Sequence, residues 1–276
     1  MTQRQLFVVG KGSCGSIDMK LTEKQFRKFS ELVYHECGIN LHEGKQQLLQ
    51  ARLSKRLRKT GIRSVKEYLK VLEKDQQELI NFLDAVSTNH TFFFRESHHF
   101  DCLETTHLNI WCAACSSGEE PYSVAVYCLE KGFRPTILAT DISTNVLKMG
   151  DRAIYPSERI KNVPQSILKK YFQKGQGKWD DFIRVKDEIR RMVTFKRFNL
   201  VTDPPPTLEF DVVFCRNVLI YFDNQVKEKV INRLYDVLKW NGYFIIGGAE
   251  SLNSIRHSYK YIKPSIYRKV RGLKSR

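Results

Sequence analysis

Long apolar runs are missing from this 276-residue sequence. None approaches the roughly 18 residues needed to cross a bilayer, so membrane insertion is excluded as an expectation. The opening MTQRQLFVVGKGSCG has too short an apolar stretch for a secretory signal. A paired cysteine framework is missing too. Seven cysteines, an odd and irregularly spaced set, do not describe a disulfide scaffold in a chain this large. The expectation is a reduced, cytoplasmic protein. Cys112 and Cys115 form a C-x-x-C without a second pair at zinc-ligand spacing, and they close a strand instead of opening a helix. They read as packing residues, and no metal is expected. Acidic residues are in deficit, 30 against 46 basic ones, for a net charge of +16. Such a surplus suits nucleic acid, an acidic protein surface, the inner membrane face or a merely solvated surface, and charge alone does not choose. Hydrophobic residues at 42% and aromatics at 12% exclude a disordered chain.

Residues 21–86 carry only helical periodicity. Thr22 with Gln25 makes a capping box ahead of Phe26, Phe29, Leu32 and Val33. A second helix spans 43–59 with Leu49, Leu53 and Leu57 on one face; Ser64 with Glu67 starts a third, and Asp75 a fourth. Four short helices make a small bundle. From residue 108, LNIWCA, PTILAT, VTFKRF, FDVVFC and YFIIGG alternate with helical stretches at 119–130, 143–152 and 223–238. That alternation predicts an α/β fold, a doubly wound and mostly parallel sheet. Residues 155–192 interrupt it and read as a small insertion, and YIKPSIYRKV reads as the final strand. The expected organisation is an extension over 1–20, a helical domain over 21–87, a linker over 88–107, an α/β domain over 108–270 and a basic tail over 271–276.

GKGSCG at 10–15 satisfies the dinucleotide pattern, but no helix opens at that turn; the capped helix begins only at Thr22 and starts the bundle. WCAACSSGEEPYS carries more chemistry. Small residues between a strand and a helix let backbone approach a ligand closely. Two carboxylates at that turn would repel phosphate, and Asp141 closes the next strand, where an acidic residue commonly binds ribose. Together these describe a nucleoside cofactor without phosphates, a description that S-adenosylmethionine fits.

STNHTFFFRESHHF (87–100), AACSSGEEPYS (113–123), ATDIS (139–143), FNL (198–200), FCRNVLIYFD (214–223) and, less closely, GGAES (247–251) stand in order along the chain. In these stretches the sequence strongly resembles the chemotaxis receptor methyltransferase (CheR) family from about residue 21 to 267. The resemblance implies an N-terminal helical domain, a methyltransferase sheet and an inserted β-subdomain. It also implies S-adenosylmethionine as cofactor, S-adenosylhomocysteine as product, and glutamates on receptor cytoplasmic helices as methyl acceptors. Asn89, Thr91, Arg95, Glu120, Asp141, Asn199, Leu200, Arg216 and Asn217 match cofactor-site positions. Glu120 matches the acidic residue facing the methionine part, and Asp141 the one on ribose. Arg95 and Tyr221 match residues beside the transferred methyl group and are the expected catalytic pair. Gly248-Ala249 departs from the family's frequent His-Ser before its Glu. The Gly175-Gln176-Gly177 turn resembles members that dock on a receptor's C-terminal pentapeptide by strand addition.

On the second helix Arg52, Lys55, Arg56 and Lys59 share an arc of about 100° at 3.6 residues per turn, and the leucine stripe lies roughly 100° around from its centre, so the basic face is expected to remain exposed. By itself this is a solvated face or a nucleic-acid patch, although no aromatics interleave with it. The resemblance makes it the dock for an acidic receptor helix. Nucleic acid is not expected as a partner, since Asp203-Pro204-Pro205-Pro206 departs from the Asn/Asp-Pro-Pro-Tyr/Phe motif of nucleic-acid methyltransferases at its last residue. The expected protein is a monomer. The alternative is a non-catalytic module that binds S-adenosylmethionine or a receptor without transferring a methyl group.

Overall fold

The computed structural model describes residues 20–104 and 107–272. The GKGSCG motif and residues 273–276 lie outside them.

Four helices come first: α1 (Glu23–Cys37), α2 (Gln46–Thr60), α3 (Val65–Lys74) and α4 (Gln76–Val86). Thr22 and Gln25 close the expected capping box reciprocally. Asp75 caps α4 by accepting the Glu78 N–H at 3.0 Å. Ser64 occupies the N-cap of α3 but makes no side-chain capping bond. The second helix begins later than its periodicity predicts, because Glu43–Lys45 form a 3-10 turn ahead of it. Phe29, Val33, Leu49, Leu53, Leu57, Tyr68 and Phe82 fill one core. Gly38 ends α1 at φ 73°, and a Cβ there would meet Val226 at 2.7 Å and Val201 at 2.9 Å. The helix therefore stops in close contact with the α/β portion of the chain.

The rest of the chain alternates strand and helix: β1 (His107–Ala113), α5 (Glu119–Glu130), β2 (Arg134–Asp141) and α6 (Thr144–Arg152). A small insertion follows, with β3 (Ile154–Pro156), α7 (Gln165–Tyr171), β4 (Phe172–Lys174), β5 (Phe182–Val185) and α8 (Asp187–Arg190). The chain then returns through β6 (Val193–Arg197), β7 (Phe210–Phe214), α9 (Asn224–Asp236), β8 (Leu238–Ile245), β9 (Tyr259–Lys263) and β10 (Ile266–Lys269).

The large sheet has seven strands in the order β6-β2-β1-β7-β8-β10-β9. The five apolar runs form its parallel part, and β10 and β9 add antiparallel at one edge. YIKPSIYRKV is not a single final strand but the β9–β10 hairpin, turned at Pro264 and at Ser265, whose φ is 64°. Proline cannot donate to a ladder, so the run folds back on itself. The insertion is a three-stranded antiparallel sheet, β3-β5-β4. At Gly175 a Cβ would lie 2.0 Å from the Trp179 carbonyl oxygen, so only glycine permits this connection.

After β1 the chain winds one way to β2 and β6, then returns to place β7 on the other side of β1. Ligands bind in sheets of this kind beyond the carboxyl ends of the strands flanking such a reversal.

Candidate functional site

A cleft opens beyond the ends of β1, β2 and β7. The sheet supplies Ala114, Ser116, Asp141, Arg216 and Asn217; α1 and its exit supply Cys37 and Ile39; the connecting segment supplies Ser87 to Thr91 and Arg95. All ten residues that the sequence singles out for cofactor or catalysis line this one cleft: Asn89, Thr91, Arg95, Glu120, Asp141, Asn199, Leu200, Arg216, Asn217 and Tyr221.

The turn after β1 is strained. Ala114 and Ser116 adopt φ of 65° and 51°, and Gly118 adopts 94°. Left-handed backbone costs a non-glycine residue about 1 kcal/mol, so surrounding bonds must hold it. Asp141 is one such holder. Its Oδ2 accepts the Ser116 N–H at 2.8 Å and its Oδ1 the Ser143 N–H at 2.9 Å. Burial pushes the Asp141 carboxyl above its ordinary value, and these two backbone donors act against that rise. Gly118 closes the turn, since a Cβ there would meet the Gly150 Cα at 2.9 Å and the Tyr155 Oη at 3.0 Å.

Glu120 projects from the first turn of α5 and accepts from Arg216 Nη1 at 2.9 Å. Burial raises its carboxyl, while the Arg216 guanidinium pulls it back toward the anion. Arg216 Nη2 also donates to the Arg95 carbonyl at 2.6 Å and to Glu96 Oε2 at 3.2 Å, but its Nε is buried without a partner among the described residues. Arg95 donates from Nη1 to the His90 carbonyl at 3.1 Å and lies with its guanidinium over Phe92. Asn199 lines the cleft with its amide already engaged: Nδ2 donates to the Glu36 carbonyl at 2.6 Å, and Oδ1 accepts the Val201 N–H at 3.0 Å. Asn89 donates to Ser87 Oγ at 3.1 Å, and its carbonyl accepts from Ser116 Oγ at 3.2 Å. Tyr221 ends a 3-10 turn, and its carbonyl accepts the Asn40 N–H at 2.8 Å.

Two glutamates inside the matching stretches, Glu96 and Glu250, carry no assigned role in the sequence. Glu96 Oε2 accepts the Gly248 N–H at 3.0 Å besides its bond from Arg216. Glu250 accepts the N–H groups of Gly247 and Asn217. The Gly248 N–H on Glu96 and the Asn217 N–H on Glu250 come from far along the chain, and no local spacing announces such bonds.

The basic face of α2 is corrected. Arg56 is buried, donating from Nε to Glu78 Oε1 at 3.0 Å, and Tyr68 Oη donates to the same oxygen at 2.5 Å. On the helical wheel Arg56 falls within about 20° of Leu49, so the inner end of the basic arc turns into the core. Arg52 is half-buried and donates to the carbonyls of Val86 and Ser87 at the end of α4. Lys55 and Lys59 remain exposed.

The donor set suits a cationic nucleoside. Glu120 and Asp141 would repel phosphate, and among the described residues Asp141 meets only backbone N–H groups, leaving lone pairs for hydroxyls. The unpartnered Arg216 Nε offers a donor for a carboxylate. These features fit S-adenosylmethionine, with its sulfonium, ribose and amino-acid end. Cys112 and Cys115 are buried and their thiols pushed far up by burial. Among the described residues no cluster of three or more His, Cys, Asp or Glu could hold a metal, and no helix is long and apolar enough to cross a membrane.

Residues 24–87 match the family model described as "CheR methyltransferase, all-alpha domain", and residues 89–268 match "CheR methyltransferase, SAM binding domain". A chemotaxis protein methyltransferase of Borreliella burgdorferi is 38% identical over 278 residues, covering 92% of this chain and 97% of that protein. Chemotaxis protein methyltransferase 2 of Pseudomonas aeruginosa is 36% identical, covering 92% and 95%. That of Escherichia coli is 34% identical, covering 90% and 92%. With both models matched in sequence order and relatives aligned over nearly their whole length, this chain belongs to the CheR family of S-adenosylmethionine-dependent methyltransferases.

Proposed function

We propose that the enzyme methylates glutamate side chains on the cytoplasmic helices of chemotaxis receptors, in sensory adaptation. The observation that carries this reading is that Arg95 and Tyr221 share one cleft with Glu120, Asp141 and Arg216. The printed names of the relatives, chemotaxis protein methyltransferases, support the pathway.

Bound S-adenosylmethionine would supply an electrophilic methyl group on a sulfonium. The residues of this chain would do the rest. Asp141 holds ribose hydroxyls through the lone pairs its backbone donors leave free. Glu120 faces the methionine end, where its anion complements an ammonium, and Arg216 takes the carboxylate through Nε. Asn89, Thr91, Asn199, Leu200 and Asn217 complete the walls. A glutamate acceptor is already ionised near pH 7, so no general base is needed. What remains is alignment and exclusion of water. Arg95 orients the acceptor carboxylate by paired N–H bonds, and Tyr221 positions the acceptor against the methyl group.

The helical domain over 21–87 docks the receptor. Lys55 and Lys59 present the exposed charge, and Arg52 stands at the end of α4. The small sheet has two edge strands, β3 and β4, which suit strand addition by a receptor C-terminal peptide. The enzyme works as a cytoplasmic monomer in this reading. Labelled S-adenosylmethionine with a receptor tests it: base-labile methyl esters on glutamate are expected, and cofactor binding without ester formation would refute it.

A further inference from the structure

Tyr221 sits at the end of a tight turn, and something must set that turn's place against the cleft. The turn leaves β7 through Asn217, whose φ is 59°, and closes with the Tyr221 N–H on the Val218 carbonyl and the Phe222 N–H on the Leu219 carbonyl. Its leading N–H groups point away from the sheet ladder and need acceptors. Glu250 provides them. Its Oε2 accepts the Asn217 N–H at 2.8 Å and the Gly247 N–H at 2.7 Å, and its Oε1 accepts the Ile220 N–H at 3.3 Å. Glu250 forms no ion pair among the described residues, so its charge is answered by backbone dipoles alone. The fit is close on the other side as well. A Cβ on Gly247 would lie 2.3 Å from Asn217 Nδ2. The 247–250 turn is thus a mould for the 217–221 turn.

We propose that Glu250 is a positioning residue for methyl transfer: its carboxylate, by gathering the backbone N–H groups of Asn217, Ile220 and Gly247, holds Tyr221 in register with the cleft. A carboxylate is the chemistry this task requires, because three donors converge on two oxygens. Glutamine would turn an NH₂ group toward N–H donors and repel where Glu250 attracts. Glu250 does not line the cleft and acts only through the turn. This inference rests on the reading that Tyr221 lies beside the transferred methyl group.

Turnover at saturating S-adenosylmethionine and receptor is measured for the wild type, E250Q, Y221F and the double variant. E250Q is expected to lower kcat at least tenfold. On the Y221F background the same change is expected to cost less than about threefold, because the group being positioned is already gone. A kcat for E250Q within twofold of wild type, beside an impaired Y221F, would overturn the role of Glu250 alone. A full tenfold loss persisting on the Y221F background would overturn it too, leaving Glu250 a merely structural residue. Wild-type turnover in Y221F would sink the reading of Tyr221 itself. Should E250Q fail to fold, Gly247→Ala presses on the same turn from the Asn217 side and is judged by the same two criteria.

Discussion

Asp84, near the end of α4, accepts the backbone N–H of Thr144, the first residue of α6, at 3.0 Å. Its other oxygen accepts from Thr144 Oγ1 at 2.9 Å and Asn145 Nδ2 at 2.8 Å. Ser143 stands at the N-cap of α6 without a capping bond, and its hydroxyl is buried without a partner among the described residues. The cap of α6 therefore comes from the helical bundle. Because Asp141 lies just before α6, this bond ties the bundle to the cofactor cleft.

Removing that cap should loosen both. Asp84→Ala is expected to cost about 2 kcal/mol of stability, the upper range for a lost N-cap. Thermal denaturation should show a melting point lower by several degrees, and Asp84→Asn, which keeps one acceptor oxygen, should lose less. An unchanged melting point in Asp84→Ala would mean that the bundle is held by its apolar contacts alone.

The basic residues of α2 should separate cleanly by burial. Arg56→Ala leaves Glu78 buried without its cation and is expected to destabilise by roughly 3 to 5 kcal/mol. The double change Lys55→Glu, Lys59→Glu should leave stability within about 0.5 kcal/mol. It should instead raise the KM for receptor, most strongly at low salt, with kcat little altered. Equal receptor KM values for that double variant and the wild type would remove these lysines from the dock.

His99 is buried with its Nδ1 3.6 Å from Glu96 Oε2, yet burial and the Arg216 charge outweigh that carboxylate and lower its pKa from 6.5 to about 4. The unfolded chain therefore takes up a proton that the folded chain refuses between those values. Stability contributed by neutral His99 is present above pH 6.5 and is lost as pH falls toward about 4. The loss amounts to roughly 3 kcal/mol at about 1.4 kcal/mol per unit. Denaturant midpoints followed from pH 7 to 4 should fall less steeply in His99→Gln than in wild type. Parallel profiles would place the acid sensitivity in other groups.

Much of the fold is legible in the sequence because the signals are local. Thr22 with Gln25 marks the first helix start, and the 119–130 stretch emerges as α5 with the same bounds. The cofactor cleft is legible because its residues sit in strand-end motifs, and the resemblance supplies their roles. Arg56 misleads because a basic residue 20° or so from a leucine stripe belongs to either face, and only Glu78 and Tyr68, brought in from α4 and α3, decide it. The YIKPSIYRKV run misleads because its β-formers hide a turn at Pro264. Asp84, Glu96 and Glu250 are silent in the sequence for one shared reason. Each bonds backbone groups remote along the chain, and backbone donors carry no residue code.

Methyl transfer to receptor glutamate can be read in a single assay. Purified enzyme, labelled S-adenosylmethionine and a receptor cytoplasmic fragment are incubated, and base-labile label is read from the receptor for wild type, Arg95→Ala and Tyr221→Phe. Wild type should deposit methyl esters on glutamate. Arg95→Ala should lose a hundredfold or more in turnover, on the order expected when an orienting group is removed, and Tyr221→Phe should lose at least tenfold. Wild-type protein that binds S-adenosylmethionine but labels no receptor, or full labelling by both variants, would contradict it.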